Sequence, residues 1–405
     1  MATTLIENSL VLRPGHWVRP GSLLVKDGKI AEIDPEIDQS ADDYERVDAN
    51  GALLTPGLID LHCHGVQQFL YEAEPQQIAD AASVLPSFGT TCVLPTLCRV
   101  MNRPSLGLLE QLSEALLKTV GAAMPGFHLE GPFLALPGAG CETIPGDLVL
   151  LEELLAATGG RVSAMSISPD TPNIIPVIER LREENITVLI THTHASVEET
   201  EAAIDAGARH ATHFYDVFPV PAETEPGARP VGAVETILAD ARCTVDFICD
   251  GVHVHPMAIR AALAAKGWEG IVAITDANIG AGLEDGIYET TWGYSVEVRR
   301  SDAARIADKD HPLQGALAGS SLTMDRAIYN LLSWLELPPQ QIWAMGTTNP
   351  AAVLHLANKG DIRTGADADL VLWDQVDHGL QARKTWVGGK CVFDAESLPF
   401  AIGER

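Results

Sequence analysis

Positive charge is what this chain has least of. Its 405 residues include 27 Lys and Arg against 55 Asp and Glu, a net charge of −28. A surface of that sign repels nucleic acid and anionic membranes, and disfavours a polyanionic substrate unless a local basic pocket compensates. Long apolar runs are also missing: no segment approaches the roughly eighteen consecutive apolar residues a membrane-spanning helix needs. There is no internal repeat, no low-complexity tract and no CxxC pair. The cysteines (Cys63, Cys92, Cys98, Cys141, Cys243, Cys249 and Cys391) are odd in number and scattered through mostly apolar segments. That is the usage of reduced thiols, not of a disulfide framework. The opening Met1-Ala2-Thr3-Thr4-Leu5 shows no basic stretch followed by an apolar one. The expectation is a soluble cytoplasmic protein without nucleic-acid or membrane partners.

What is present is ordinary for a globular enzyme: 46% hydrophobic and 20% charged residues, with 35 Gly and 25 Pro. The length suffices for one large core and a smaller satellite. Near the start, Leu23 to Ile33 reads as two strands around an Asp27-Gly28 turn, a hairpin signal. Near the end, Ala368 to Trp373 and Lys384 to Phe393 read as strands, the latter broken at Gly388-Gly389. Neither piece can bury a core alone, so the two ends are expected to pair into a small β-sandwich, residues 1–55 with 358–405.

Between them, residues 56–357 alternate strand and helix. Strands are expected to begin near Gly57, Thr90, Pro125, Val162, Ile186, Ala211, Thr244 and Ile271, with helices such as Ser105–Val120, Ile174–Asn185, Glu198–Ala206 and Pro256–Lys266. Eight such units predict an α/β fold in which a parallel sheet closes as a (β/α)8 TIM barrel. Chemistry in such a barrel gathers where strands end. The first strand, in Leu54 to Gly65, ends in His62 and His64, whose i, i+2 spacing points both imidazoles to one side. Later ends deliver Glu130, His192, His213, His253 and Asp276. Four imidazoles and a carboxylate suit one or two divalent ions, zinc first, with iron or manganese possible. Two sub-sites are plausible, His62 with His64 and His192 with His213, Glu130 reaching either or bridging them. Asp276 is placed as the general acid/base, because an attacking water needs a base and a departing amine needs a proton. His194 and His128 read as structural, and His210, His255, His311, His355 and His378 as surface or cap residues. Trp292 and Tyr294, in a hairpin over Tyr288–Val298, either cover the site or pack on the barrel top.

This set resembles the amidohydrolase superfamily and, within it, the N-acetylglucosamine-6-phosphate deacetylases. The resemblance is carried by Pro56 to His64, His128 to Phe133, Ala211 to His213 and Leu317 to Met324, with Asp250 to His253, Thr275 to Ala277 and Asn349 to Ala352 adding to it. Strand four, Ala164 to Pro169, offers no lysine, which disfavours cousins that use a carboxylated lysine; Glu130 looks like the acid used in its place. The resemblance implies a metal-dependent hydrolase of an amide C–N bond in a small N-acylated substrate, with His253 orienting that substrate. It also implies a homodimer formed through the loop after strand six, where Phe214 to Pro221 is unusually apolar.

Three positions depart from that pattern. Where the deacetylases place a histidine near the scissile carbonyl, this chain has Glu142; where they place an asparagine, Asp216; where they place a phosphate-binding arginine, Thr224. Glu142, Tyr215, Asp216, Thr224 and Arg229 join His253 as candidate substrate contacts. Two acids and a hydroxyl in place of phosphate-pocket donors predict a neutral or amine-bearing N-acyl, sugar-like substrate. One alternative is a genuine phosphosugar deacetylase with Arg229 supplying the charge from a shifted loop. Another, of a different class, is a catalytically silent binding protein on this scaffold. A phosphate-ester hydrolase or a deaminase also stays open, since fold does not fix substrate.

Overall fold

The computed structural model describes residues 3–34, 44–138, 141–299, 303–377 and 379–397. Its centre is a parallel sheet of eight strands: β1 (Leu58–Cys63), β2 (Thr90–Leu97), β3 (Phe127–Glu130), β4 (Val162–Ile167), β5 (Thr187–Ile190), β6 (His210–Ala211), β7 (Thr244–Ile248) and β8 (Ile271–Ile274). Each pairs with its sequence neighbours. The circle closes through a parallel bridge between Cys63 and Ala277 and a 2.8 Å bond from Asp276 N–H to the His62 carbonyl. Every residue of β1 and β2 is buried. Strands covered on both faces carry near-continuous apolar runs instead of alternation, which is why these segments are recognisable by position more than by period.

Helices α1 (Pro75–Val84), α2 (Leu106–Leu116), α3 (Leu148–Ala157), α4 (Ile174–Glu183), α5 (Val197–Ala206), α6 (Ala233–Ala239), α7 (Pro256–Lys266) and α8 (Met324–Trp334) follow the strands in turn. The acidic first turn of α5 closes a capping box, Ser196 accepting from Glu199 N–H while Glu199 accepts from Ser196 N–H. Ile59, Leu61, Leu94, Leu189, Ile248 and Ile274, from five different strands, meet inside the barrel and pack against Ala351. The neighbouring Asn349 donates 2.8 Å bonds to the carbonyls of Trp268 and Ile271, tying the entry of β8.

The two chain ends build one hydrogen-bonded sheet of eight strands around a core of Ile6, Val11, Leu23, Leu54, Leu370, Leu372 and Trp386. Strand Leu53–Pro56 joins them, parallel to Thr3–Arg13 and antiparallel to Leu370–Val376. The expected turns at Asp27-Gly28 and Gly388-Gly389 both separate antiparallel strands. Trp373 fixes this sheet to the barrel's amino-terminal end. Its indole donates to Thr55 Oγ1 at 2.8 Å, and its ring lies where a Cβ on Gly89 would come within 2.1 Å. Among the described residues no helix is long and apolar enough to cross a membrane.

Candidate metal centre

Five side chains converge at the carboxyl ends of β1, β3, β5 and β6. His62 Nε2 and His64 Nε2 are 3.2 Å apart, and both face Glu130 Oε2, at 3.6 and 3.3 Å. His192 Nε2 and His213 Nε2 face the other oxygen, Oε1, at 3.2 and 3.0 Å. Glu130 therefore stands between two histidine pairs with one oxygen for each. Each triad has its ligand atoms close enough to hold one cation, and all five residues are buried. The sub-sites expected from the sequence thus assemble around a carboxylate that reaches both.

The backbone aims these groups. His192, His213 and Asp276, each a few residues past a strand, all lie in the left-handed region, with φ of 48°, 33° and 46°. For residues with a side chain this costs on the order of 1–3 kcal/mol each, and such strain gathers at functional sites. Asp246 on β7 offsets part of it by accepting from His213 N–H at 2.5 Å. The same carboxylate accepts from Thr212 Oγ1 at 3.2 Å, and Thr212 accepts from His62 Nδ1 at 3.0 Å. That relay leaves the His62 Nε2 lone pair free for a metal. His210 is the third partner of Asp246, at 2.8 Å, and is fully buried, not at the surface.

Charges here are strongly coupled. Burial alone would raise the Glu130 carboxyl, but the imidazoles of His62, His192 and His213 hold it well below the carboxylate range. Burial would lower His213, yet the adjoining Glu130 pushes it up to about 10. Asp276 approaches His64 at 3.4 Å and His62 at 3.6 Å, and these imidazoles keep its carboxyl ionised against the cost of burial.

The cluster opens into a cavity of about 420 Å³. Its wall includes Asp216, His253, Asn278, Trp292, Tyr294 and His311 beside the metal-centre residues. His253 Nδ1 bonds Asp250 at 2.6 Å, which leaves Nε2 for a ligand. Trp292 and Tyr294 line the cavity and also pack against the cluster of Leu70, Ile279 and Val296. His311 belongs here as well, its ring tilted against Tyr294 with centres 5.1 Å apart, although the sequence suggested a surface role. Other candidates stand apart from this wall. Glu142 is exposed and accepts from Asn102. Tyr215 packs on Phe214 and Phe247, Thr224 is exposed, and Arg229 is 83% exposed and pairs with Glu235. His128, buried, bonds Thr96 and Ser166 beneath the site, and His255 caps α7. His378 lies outside the described residues.

Two cavity residues escaped the sequence reading, Cys98 and Arg99. They follow β2, a strand end that carries no histidine or acid to announce it. Arg99 is the one guanidinium or ammonium group among the described residues of the wall, 5.7 Å from the Trp292 ring centre. The buried Glu72 carboxylate sets this turn by accepting from Cys98 N–H and Arg99 N–H, at 3.1 and 3.0 Å. Extending the strand-end reading to β2 would have reached both.

Residues 53–394 match the amidohydrolase family model, and the chain belongs to that family. It is a hydrolase of carbon–nitrogen bonds other than peptide bonds, which sets aside the silent binding protein. It is 31% identical to an N-acetylglucosamine-6-phosphate deacetylase of Lysinibacillus sphaericus, over 92% of this chain and 94% of that one. It is also 27% identical to an N-acetylgalactosamine-6-phosphate deacetylase of a Shewanella species, over 98% of each. Among solved structures, the N-acetyl-D-glucosamine-6-phosphate deacetylase of Mycobacterium smegmatis superposes with a TM-score of 0.81 at 26% identity, covering 97% of this chain and all of that one.

Proposed function

We propose that this amidohydrolase removes the acyl group from an N-acylated amino sugar, and that it prefers a sugar without a phosphate. The observation that carries the reaction class is Glu130 set between two histidine pairs, with Asp276 alongside. His62, His64 and Glu130 would hold one divalent ion, and His192, His213 and Glu130 a second. Zinc suits this nitrogen-rich set best, and iron or manganese is compatible. A bound ion would supply Lewis acidity, polarising the acyl carbonyl and easing deprotonation of water. Asp276 takes the proton of the attacking water and returns it to the amine as the C–N bond breaks, so the site ends unchanged. His253, fixed by Asp250, orients the sugar. Trp292 and Tyr294 cover its apolar face and exclude water.

The preference for an unphosphorylated sugar rests on charge. Asp216 lines the cavity, while Thr224 and Arg229 stand away from it. A carboxylate about 4 Å from a phosphate costs on the order of several kcal/mol at an effective dielectric near 20. Arg99 favours a second reading, that of the similar deacetylases named above: its guanidinium would receive the phosphate. Kinetics on N-acetylglucosamine with and without a 6-phosphate decide between them. The proposal expects the unphosphorylated sugar to have the higher kcat/KM. A tenfold or greater gain from the phosphate, about 1.4 kcal/mol, that disappears in Arg99→Ala would establish the second reading instead.

A further inference from the structure

We infer that the cation site on the His62/His64 side is completed by sulfur, from Cys98 and Cys141. Both thiols are buried, 3% and 7% exposed, and with a Glu130 oxygen they form a triad whose ligand atoms all lie within 4.8 Å of one another. Cys141 Sγ is 3.6 Å from Glu130 Oε2. That is the oxygen facing His62 and His64, so the imidazole pair and the Cys141 sulfur approach one carboxylate oxygen, and Cys98 belongs to the triad that Cys141 forms with Glu130. Two separate elements bring the thiols there. Cys98 sits in the turn after β2 that Glu72 fixes, and Cys141 donates its N–H to the Gly138 carbonyl at 2.8 Å. Leu134 packs against both. The cysteines that remain are spread elsewhere, and Cys391 is exposed on the terminal sheet.

The consequence is metal selection. Thiolates favour zinc and cadmium over magnesium and manganese, whereas the His192/His213 side offers only nitrogen and oxygen. The two halves of one centre would then differ in softness. As each sulfur bonds the ion, its thiol proton leaves to solvent, and no electron is transferred.

The inference rests on the proposed metal-dependent function, and cadmium separates the two. Full-length protein is stripped with chelator in a phosphine reductant and titrated with Cd²⁺, with bound cadmium measured by elemental analysis and thiolate-to-cadmium charge transfer followed in the ultraviolet. The expected result is a charge-transfer band in the wild type that Cys98→Ser and Cys141→Ser each weaken and the double variant loses while still binding cadmium at its histidines. Cadmium bound without the band, or a band undiminished in the double variant, overturns the sulfur assignment alone. No bound cadmium overturns the metal centre with it. Should the variants fold poorly, alkylation of the wild type decides: cadmium must slow modification of Cys98 and Cys141 but not of Cys391. Equal rates with and without cadmium overturn the inference.

Discussion

Asp276 is the residue on which turnover should depend without metal content depending on it. Asp276→Asn keeps the shape and removes the proton carrier, so kcat should fall roughly 10²-fold or more while elemental analysis finds the metal unchanged. Turnover near wild type would remove Asp276 from its assigned role. His213 carries a second prediction. Its pKa is raised to about 10 by Glu130, so at neutral pH a cation must displace a proton from it. Metal loading of the stripped protein should release protons, and affinity should rise with pH between about 6 and 8. An indicator dye and titrations at several pH values check both; affinity independent of pH would contradict the coupling.

At the scale of elements, the strand ends and the loops after them do the positioning. Gly138, in the loop after β3, shows how closely they are fitted: a Cβ there would lie 2.1 Å from His192 Cε1. Gly138→Ala should push the imidazole off Glu130, weaken metal retention at the His192/His213 side about tenfold or more, and depress activity in parallel. The melting temperature should move little, because no core contact is lost. Retained stoichiometry measured by elemental analysis would show that the loop yields instead. The loop after β6 tests the sequence reading differently. Phe214 and Phe218 looked like an exposed apolar face, yet both are buried, their rings packed 5.3 Å apart. Composition could not distinguish a loop that covers a partner from one that covers its own barrel.

For the whole molecule, the remaining question is assembly. We propose that the chain forms a homodimer through the outer part of that loop, where Val220 is 79% exposed and Pro219 and Glu223 to Gly227 are exposed beside it. Light scattering should give about twice the 43.3 kDa of one chain, and Val220→Asp should shift the population toward monomer. A monomeric wild type would end this proposal.

The sequence alone determined the order of strands and helices, since each unit is local and its turn residues and burial pattern are written in adjacent positions. It also determined the metal-ligand candidates, because four histidines and an acid at strand ends have few other uses. It determined the pairing of the chain ends, neither of which can bury a core by itself. Only the tertiary structure decided which oxygen of Glu130 meets which histidine pair, as these residues are far apart in the chain and meet only when the barrel closes. It decided that His192, His213 and Asp276 adopt left-handed backbone, a strain no local propensity would select. It brought in Cys98, Arg99 and His311, which carry no motif, and left Glu142, Thr224 and Arg229 outside the cavity wall. Their places depend on how long loops fold over the mouth, and loop paths are set by packing between distant elements, not by the residues within them.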